Sequence, residues 1–207
     1  MSDKTNPGNF FEDFKLDQEI RHATPRTVTA GDVALYTALY GPRRLGLRAA
    51  PVGDLLAFHM IFGKTVPEIS LNAVANLGYA ECRWLSPVFA GDTLHTVSRV
   101  IGLKENSNKK TGVVYVRSQG YKDGDELALD YVRWVMVKKR DESATIAEER
   151  VPRLNGHVAP EQLRIPTGLN FAQYDWTLAG SRHGWEDYEP GEKIDHVDGM
   201  TIEEAEH

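Results

Sequence analysis

The stretch from Leu71 to Lys139 constrains the fold more than any other part of the chain. It reads as consecutive strands, about 71–84, 92–103, 111–121 and 126–138, rich in β-branched and aromatic residues. Ala90-Gly91, the polar run Glu105-Asn106-Ser107-Asn108 and Asp123-Gly124 separate them, and the last is a tight-hairpin signal. Before them lies Leu55-Leu56-Ala57-Phe58-His59-Met60-Ile61-Phe62, which predicts a helix buried on all sides. Asp54 is its expected N-cap and Gly63 its terminator, with Lys64 near the negative end and Pro67 beyond. One buried helix followed by an antiparallel meander is an α+β architecture, a sheet that wraps a helix. Upstream, a short strand is expected through Ile20 to Val28. Thr29-Ala30-Gly31-Asp32 then has the spacing of a capping box, opening a helix along Val33, Tyr36 and Tyr40 that Gly41-Pro42 stops.

At 207 residues the chain is one domain plus a remainder. The remainder contains a repeat. Phe11-Glu12-Asp13-Phe14 recurs as Trp185-Glu186-Asp187-Tyr188, and at the same offset Ile20 falls on Ile194 and His22 on His196. Thr27-Val28 falls on Thr201-Ile202 in the same register. The expected organisation is a repeat over 9–140, a surface-crossing linker over 141–183 punctuated by Pro152, Pro160 and Pro166, and the start of a second repeat over 184–207. Tyr174 and Trp176 are expected to pin the linker, and Thr201-Ile202-Glu203-Glu204 to open a helix.

Composition narrows the function. With 41% hydrophobic and 26% charged residues, the chain is neither disordered nor a disulfide scaffold. A net charge of −6 argues against nucleic acid, which needs a basic face. A single cysteine, Cys82, forms no internal bridge and reads as a small core residue; a reducing, cytoplasmic setting is expected. The N-terminus has no secretory pattern, and the apolar run at 55–62 is too short to cross a bilayer. His22 and His95 stand singly on strand patterns, so neither a metal nor a resident cofactor is expected.

The residues carry a family resemblance. Phe11-Glu12-Asp13-Phe14, then Thr27-Val28-Thr29 with Asp32, the apolar helix, and Pro87-Val88-Phe89-Ala90-Gly91-Asp92-Thr93-Leu94 resemble, in that order, the MaoC-like hot-dog dehydratases. Three stretches, 54–59, 62–79 and 101–108, are more narrowly similar to a branch with two fused repeats that acts on a methylated, unsaturated diacid thioester of coenzyme A. The resemblance implies a hot-dog fold, the first of two repeats, and a hydro-lyase that adds water reversibly to an enoyl-CoA. The substrate carries the coenzyme A, and the partner is a second hot-dog repeat, in cis or as a homodimer. The chain departs from that branch by being shorter between Arg44 and Ala50, and by holding only the opening of the second repeat.

Hydration needs a base for water, an acid for the α-carbon, and donors for the thioester oxygen. The family supplies base and acid from a Gly-Asp-x-Asn-Pro-x-His loop. The matching loop here, Gly41-Pro42-Arg43-Arg44-Leu45-Gly46-Leu47, has proline at the Asp position and leucine at the His position, so this repeat lacks the dyad. Asp54 and His59 reproduce part of the spacing, but five residues of helix turn through about 500°, which points the two side chains apart. They read better as an N-cap and a core histidine with a hydrogen-bond partner. Gly53 aligns with the glycine whose backbone N–H meets the thioester oxygen in related hydratases. Arg43, Arg44 and Arg48 form a basic cluster suited to coenzyme A phosphates. Two alternatives stay open: a non-catalytic acyl-CoA-binding or scaffold module, and an acyl-CoA thioesterase.

Overall fold

A curved antiparallel sheet wraps a single helix. The computed structural model describes residues 4–41, 51–163, 172, 174–177, 180, 182–197, 199, 201 and 203–204. Strand β1 (Glu19–Arg21) and strand β2 (Arg26–Thr27) precede helices α1 (Ala30–Tyr40) and α2 (Asp54–Thr65). Strands β3 (Ala73–Trp84), β4 (Thr93–Glu105), β5 (Thr111–Lys122) and β6 (Glu126–Lys138) follow. The sheet order is β1-β4-β5-β6-β3, with β2 also paired to β4. Every pairing is antiparallel. The strand expected through Ile20 to Val28 is thus two short ones, separated where Thr24 takes φ 54° and Pro25 follows. Helix α1 starts as its sequence suggests: the Thr29 N–H donates to Asp32 Oδ2 at 2.8 Å, and the Asp32 N–H to Thr29 Oγ1 at 3.1 Å.

Helix α2 differs from its expectation in three respects. Its N-cap is Gly53, with Asp54 the first helical residue. Gly63 does not end it: the helix reaches Thr65 and runs into a π-type turn, Val66–Ser70. Pro67 lies within that continuation and removes one backbone donor from it. Nor is the helix buried all round. Leu56, Ala57, Met60, Ile61 and Thr65 are buried, whereas Leu55, His59 and Gly63, spaced four apart, form an exposed stripe. A single sheet curves around most of a helix and leaves the rest uncovered.

The core has two apolar clusters. One gathers α2 with Val28, Leu94, Leu129 and Tyr131, and the other gathers Phe11, Phe14, Ile20 and Ile69 with Val100, Val116 and Val135. Between them the inward positions turn polar on every central strand. Thr96 and Ser98 separate Leu94 from Val100 on β4, and Ser118 follows Val116 on β5. Arg133 separates Tyr131 from Val135 on β6, and Thr65 separates Ile61 from Ile69 along the helical segment. Where α2 crosses β5 there is no room for a side chain: a Cβ on Gly120 would press on Cδ1, Cγ1 and Cγ2 of Ile61, two of them at 2.7 Å.

The segment after β6 straps the outer face of the sheet. Arg150 bridges Leu103 on β4, and Asn155 donates from its backbone and side chain to Glu81 on β3 at 3.1 and 3.0 Å. At Gly102 a side chain would block the strap, since a Cβ would lie 2.5 Å from Pro152 Cδ. The chain divides into two compact units, Met1–Arg164 and Ile165–His207. In the second, Tyr174 and Trp176 pack edge to face at 5.1 Å and remain half exposed.

The repeated tetrapeptide folds alike in both places. Phe11–Asp13 and Trp185–Asp187 are each one 3-10 turn. Asp13 Oδ2 accepts from the Phe10 N–H at 2.9 Å, and Asp187 Oδ2 from the Gly184 N–H at 2.7 Å. Their burial differs: Phe11 is 0% exposed and Trp185 is 93% exposed. Gly120→Ala should destabilise the first unit by about 1–3 kcal/mol through overpacking against Ile61, read from urea unfolding monitored by tryptophan fluorescence.

Candidate functional site

Beside the uncovered stripe of α2 lies a cluster of aromatic rings. His59 lies edge-on to Tyr36 of α1 at 6.2 Å and to Phe58 at 5.9 Å. Phe58 stacks on Phe62 at 5.8 Å, and Tyr79 of edge strand β3 closes on both, at 5.8 and 6.3 Å. Tyr131 lies beneath, 5.1 Å from Phe58. Tyr79 is held by Asn76, whose side-chain amide donates to its hydroxyl. At the start of α2 the Gly53 carbonyl accepts from Leu56 and Ala57, and among the described residues no side chain caps the N-terminus of the helix. The N–H groups at this positive end of the helix are suited to an anionic oxygen. Val52 is fixed by its N–H to the Val88 carbonyl at 2.7 Å, and Trp84 Nε1 donates to the Asp54 carbonyl at 3.0 Å.

The expected site residues fall out as follows. Gly53 stands at the N-terminus of α2. Asp54 and His59 are both exposed on α2, with no hydrogen bond between them among the described residues. His59 is not a core histidine; it sits on the stripe that the sheet leaves open. Arg43, Arg44 and Arg48, with Pro42 and Leu47, lie outside the described residues. Cys82 is only half buried, and its thiol is pushed up to about 11 by burial and then by the charge of Asp130, the opposite of an activated nucleophile. Among the described residues no group of three or more His, Cys, Asp and Glu could hold a metal, and no helix is long and apolar enough to cross a membrane.

The buried polar band was hidden in the sequence. Glu68, on the turn after α2, accepts from or shares a proton with His22 Nδ1 at 2.8 Å. His22 Nε2 meets Ser98 Oγ at 2.8 Å, and Ser98 Oγ meets Ser118 Oγ at 2.7 Å. Beyond them Arg133 donates to Thr65 Oγ1 at 2.8 Å and to Ser70 Oγ at 3.4 Å. Burial holds the His22 imidazole below its ordinary value, partly offset by the hydrogen bond and charge of Glu68, while Arg133 lowers it further. The neutral ring then donates from Nδ1–H to Glu68 and accepts the Ser98 hydroxyl at Nε2. One signal could have found it: His22 follows Ile20 at a spacing of two, so both point to the core, and a buried histidine requires partners.

A pocket of about 290 Å³ opens on the outer face of the sheet, away from α2. Arg21, His95, Arg99, Gln119 and Tyr121 contribute to it, and none was among the expected site residues. Its charges are internally matched: Glu19 pairs with Arg21 at 3.1 Å and with Arg99 at 3.7 Å, and Asp125 with His95 at 3.4 Å.

A sheet wrapped on a helix with this strand order is a hot-dog fold. A conserved hypothetical protein of Mycobacterium tuberculosis with a double hot-dog fold superposes with a TM-score of 0.58, at 25% identity over 72% of this chain and 53% of its own. No family model matches. Closer kinship is with mesaconyl-CoA hydratase of Cereibacter sphaeroides, 60% identical over 215 residues, which is 99% of this chain and 63% of the relative. The crystal structure of a MaoC domain protein from Chloroflexus aurantiacus superposes with a TM-score of 0.91 at 58% identity, covering 100% of this chain and 62% of that one. The chain spans less than two thirds of the length of the curated relatives it matches.

The depressed His22 titration makes stability pH-dependent in a stated direction. The unfolded imidazole takes up its proton near pH 6.5 and the folded one at lower pH, so the unfolded state binds more protons in between. Stability from this group is full above about pH 6.5 and is lost as pH falls toward the folded value. Urea midpoints measured from pH 7.5 down to 5 should decline in the wild type, and the decline should be shallower in His22→Asn.

Proposed function

We propose that the chain is the first half of a two-repeat hydro-lyase that interconverts mesaconyl-CoA and β-methylmalyl-CoA. The observation that carries this is end-to-end identity of 60% with a mesaconyl-CoA hydratase across 99% of the chain. In this reading the thioester lies against the aromatic cluster beside α2, with its carbonyl oxygen at the N-terminus of the helix. The Gly53 N–H there supports the negative charge that develops as water adds to the β-carbon. A base removes one proton from water, the hydroxyl bonds to the β-carbon, and an acid returns a proton to the α-carbon, so no resident cofactor is required.

The acid and base come from elsewhere than this repeat, because Pro42 and Leu47 occupy the family's Asp and His positions and neither transfers protons. Asp54 and His59 do not replace them, since the helix turns them apart. A second repeat beginning near Gly184 would supply the pair, and the capped turn at Trp185–Asp187, built like the one at Phe11–Asp13, supports such a duplication. Arg43, Arg44 and Arg48 are proposed to hold coenzyme A phosphates. The edge of β3, with Val74, Leu77 and Tyr79 exposed, is proposed to meet the paired repeat or a second copy of the chain, in a cytoplasmic protein.

Pro42 and Leu47 also favour a second reading, a hot-dog module that binds acyl-CoA without turning it over. One assay separates the readings. Mesaconyl-CoA is followed by its conjugated-enoyl absorbance with the 207-residue chain alone, and with the chain joined to the remaining C-terminal part of the Cereibacter relative. The joined protein should consume the absorbance at least about 100-fold faster than the chain alone, the scale of a missing acid or base. No loss of absorbance in the joined protein would sink the hydratase reading, and release of free thiol would establish a thioesterase. In the joined protein, Gly53→Pro, which removes the backbone donor, should lower kcat by about 100-fold.

A further inference from the structure

The two copies of the aromatic turn agree beyond the tetrapeptide. After Phe14 the Gln18 N–H donates to the Lys15 carbonyl at 3.2 Å, and after Tyr188 the Glu192 N–H donates to the Glu189 carbonyl at 3.2 Å. Asp17 takes φ 62° inside the first of these turns, and Gly191, at the equivalent position, takes φ 87° inside the second. Residues 10–18 and 184–192 thus share a 3-10 turn, its aspartate cap, a following turn and a left-handed residue in one register. The copies part at the next step. In the first, Glu19–Arg21 becomes β1, pairs with β4, and carries Ile20 and His22 into the core. In the second, residues 192–197 take no strand partner among the described residues, and Trp185, Ile194 and Val197 are 93%, 52% and 90% exposed.

Such a segment has the shape of a sheet element and lacks the sheet. Two observations say which sheet would receive it. The first is charge. The positions flanking the inward Ile20 hold Glu19 and Arg21, and Glu19 stands opposite Arg99 of β4. The positions flanking Ile194 hold Lys193 and Asp195, the same pair with the signs exchanged. On the first sheet of a second copy of this chain, Lys193 would face Arg99, a like-charge pair that destabilises a ladder. The second is size. Phe11 fills its site so fully that a Cβ on Gly112 would collide with its ring, and the indole of Trp185 is larger than a phenyl ring. The first sheet therefore suits its own segment and rejects the other. A different sheet has room to exist. With 215 residues making up 63% of the Cereibacter relative, about 125 of its residues lie outside the match, and α1 through β6 of the first repeat need only Ala30–Lys138.

We propose that residues 184–197 are a docking segment whose occupant is the sheet of a second hot-dog repeat, and that His196 enters it as the buried histidine of a second polar band. The inference rests on the two-repeat reading and adds the residues through which that repeat begins its core. Trp185 takes the place of Phe11, and Ile194 that of Ile20. His196, two residues beyond Ile194, lies on the same face of the strand, as His22 does after Ile20. A histidine carried inward requires partners for its ring nitrogens. His22 finds them in Glu68, 46 residues on, and in Ser98 of the neighbouring β4. The counterparts for His196 are a carboxylate on the turn after the second repeat's buried helix and a hydroxyl on its β4-like strand. The position of that strand opposite Lys193 carries an acid, where Arg99 stands opposite Glu19 in the first repeat.

The test compares the 207-residue chain with the chain joined to the remaining C-terminal part of the Cereibacter relative. Hydrogen–deuterium exchange in peptides within 184–197 should be at least about 100-fold slower in the joined protein. Trp185→Asp should remove that protection, yet leave exchange in the chain alone unchanged, because Trp185 is exposed there. A His196 ring N–H proton in slow exchange should appear in the NMR spectrum of the joined protein and vanish in His196→Asn. A joined protein that consumes mesaconyl-CoA while 184–197 exchanges as fast as in the chain alone overturns the docking segment and leaves the hydratase reading standing. Protection without turnover supports the docking segment and counts against the hydratase reading. Protection without the slow His196 proton overturns the polar band at His196. If the joined protein aggregates, the two parts are coexpressed as separate polypeptides: copurification that is lost in Trp185→Asp supports the proposal, and copurification equal in both or absent from both overturns it.

Discussion

Arg133 reaches from the middle of β6 to Thr65 on the last turn of α2, and that hydrogen bond sets where the helix lies along the sheet. Apolar contacts alone would not. Leu56, Ala57, Met60 and Ile61 could pack on Leu94, Val100, Val116 or Val135 with similar gain, because burial is nearly indifferent to which apolar neighbour provides it. Polar groups are not indifferent, since each one misplaced from its partner by a helical turn would be buried unpaired. The Thr96 hydroxyl on the Ile61 carbonyl at 3.2 Å and the Thr65 hydroxyl on the Phe62 carbonyl at 2.7 Å join in the same fixation. The band therefore does for this helix what a buried polar residue does in a coiled coil. Two apolar clusters on either side follow as its consequence.

The outer face is organised by charge in a different regime. Arg99 and Arg117 stand directly opposite on β4 and β5, a pairing that repels. Each is drawn aside, Arg99 toward Glu19 on β1 and Arg117 toward Asp130 and Glu81 on the other side. Most of these groups are partly exposed, and such pairs contribute at most about 1 kcal/mol each. Their effect is on the path of the chain. Glu81 sits in a bulge of β3 at φ 53°, and the same carboxylate that takes Arg117 also receives Asn155, so the strap is tied down where the strand bends.

The four long strands, both helices and the Thr29 capping box were legible because each rests on local chemistry: alternation, turn residues and an N-cap. What was not legible depended on distance along the chain. Glu68 and His22 are separated by 46 residues, and Ser98 stands a further 30 beyond Glu68. No pattern in the sequence marks a hydroxyl as buried, and Ser98 and Ser118 look like ordinary surface positions of a strand until the register places them inward. The all-round apolarity of α2 misled for a related reason. A residue such as Leu55 reads as core, yet a sheet that curls around a helix stops short of closing, and Leu55 and His59 face the gap. The candidate site lies on that gap, so the error and the candidate have one cause.

The two copies of the Phe/Trp-Glu-Asp-Phe/Tyr turn separate local from non-local instruction within one molecule. In both, an aspartate at the third helical position accepts from the N–H that precedes the turn, and the aromatic residue enters at the same point of the backbone. Capping is thus complete in residues 184–187 without any wider support. Burial is not. Phe11 lies against Gly112, where a Cβ would collide with its ring, and it gains the roughly 1.5–3 kcal/mol that follows from removing such a side chain from water. That glycine is 101 residues distant in sequence, on a strand flanked by β4 and β6 in the middle of the sheet. Trp185, with the same turn and 93% exposure, shows that the tetrapeptide specifies a shape and an orientation, while the energy that would make it a core element belongs to a sheet. The same division governs α2: its N-cap is local, and only the register of β5 and β6 beneath it decides that Tyr131 meets Phe58 and Arg133 meets Thr65.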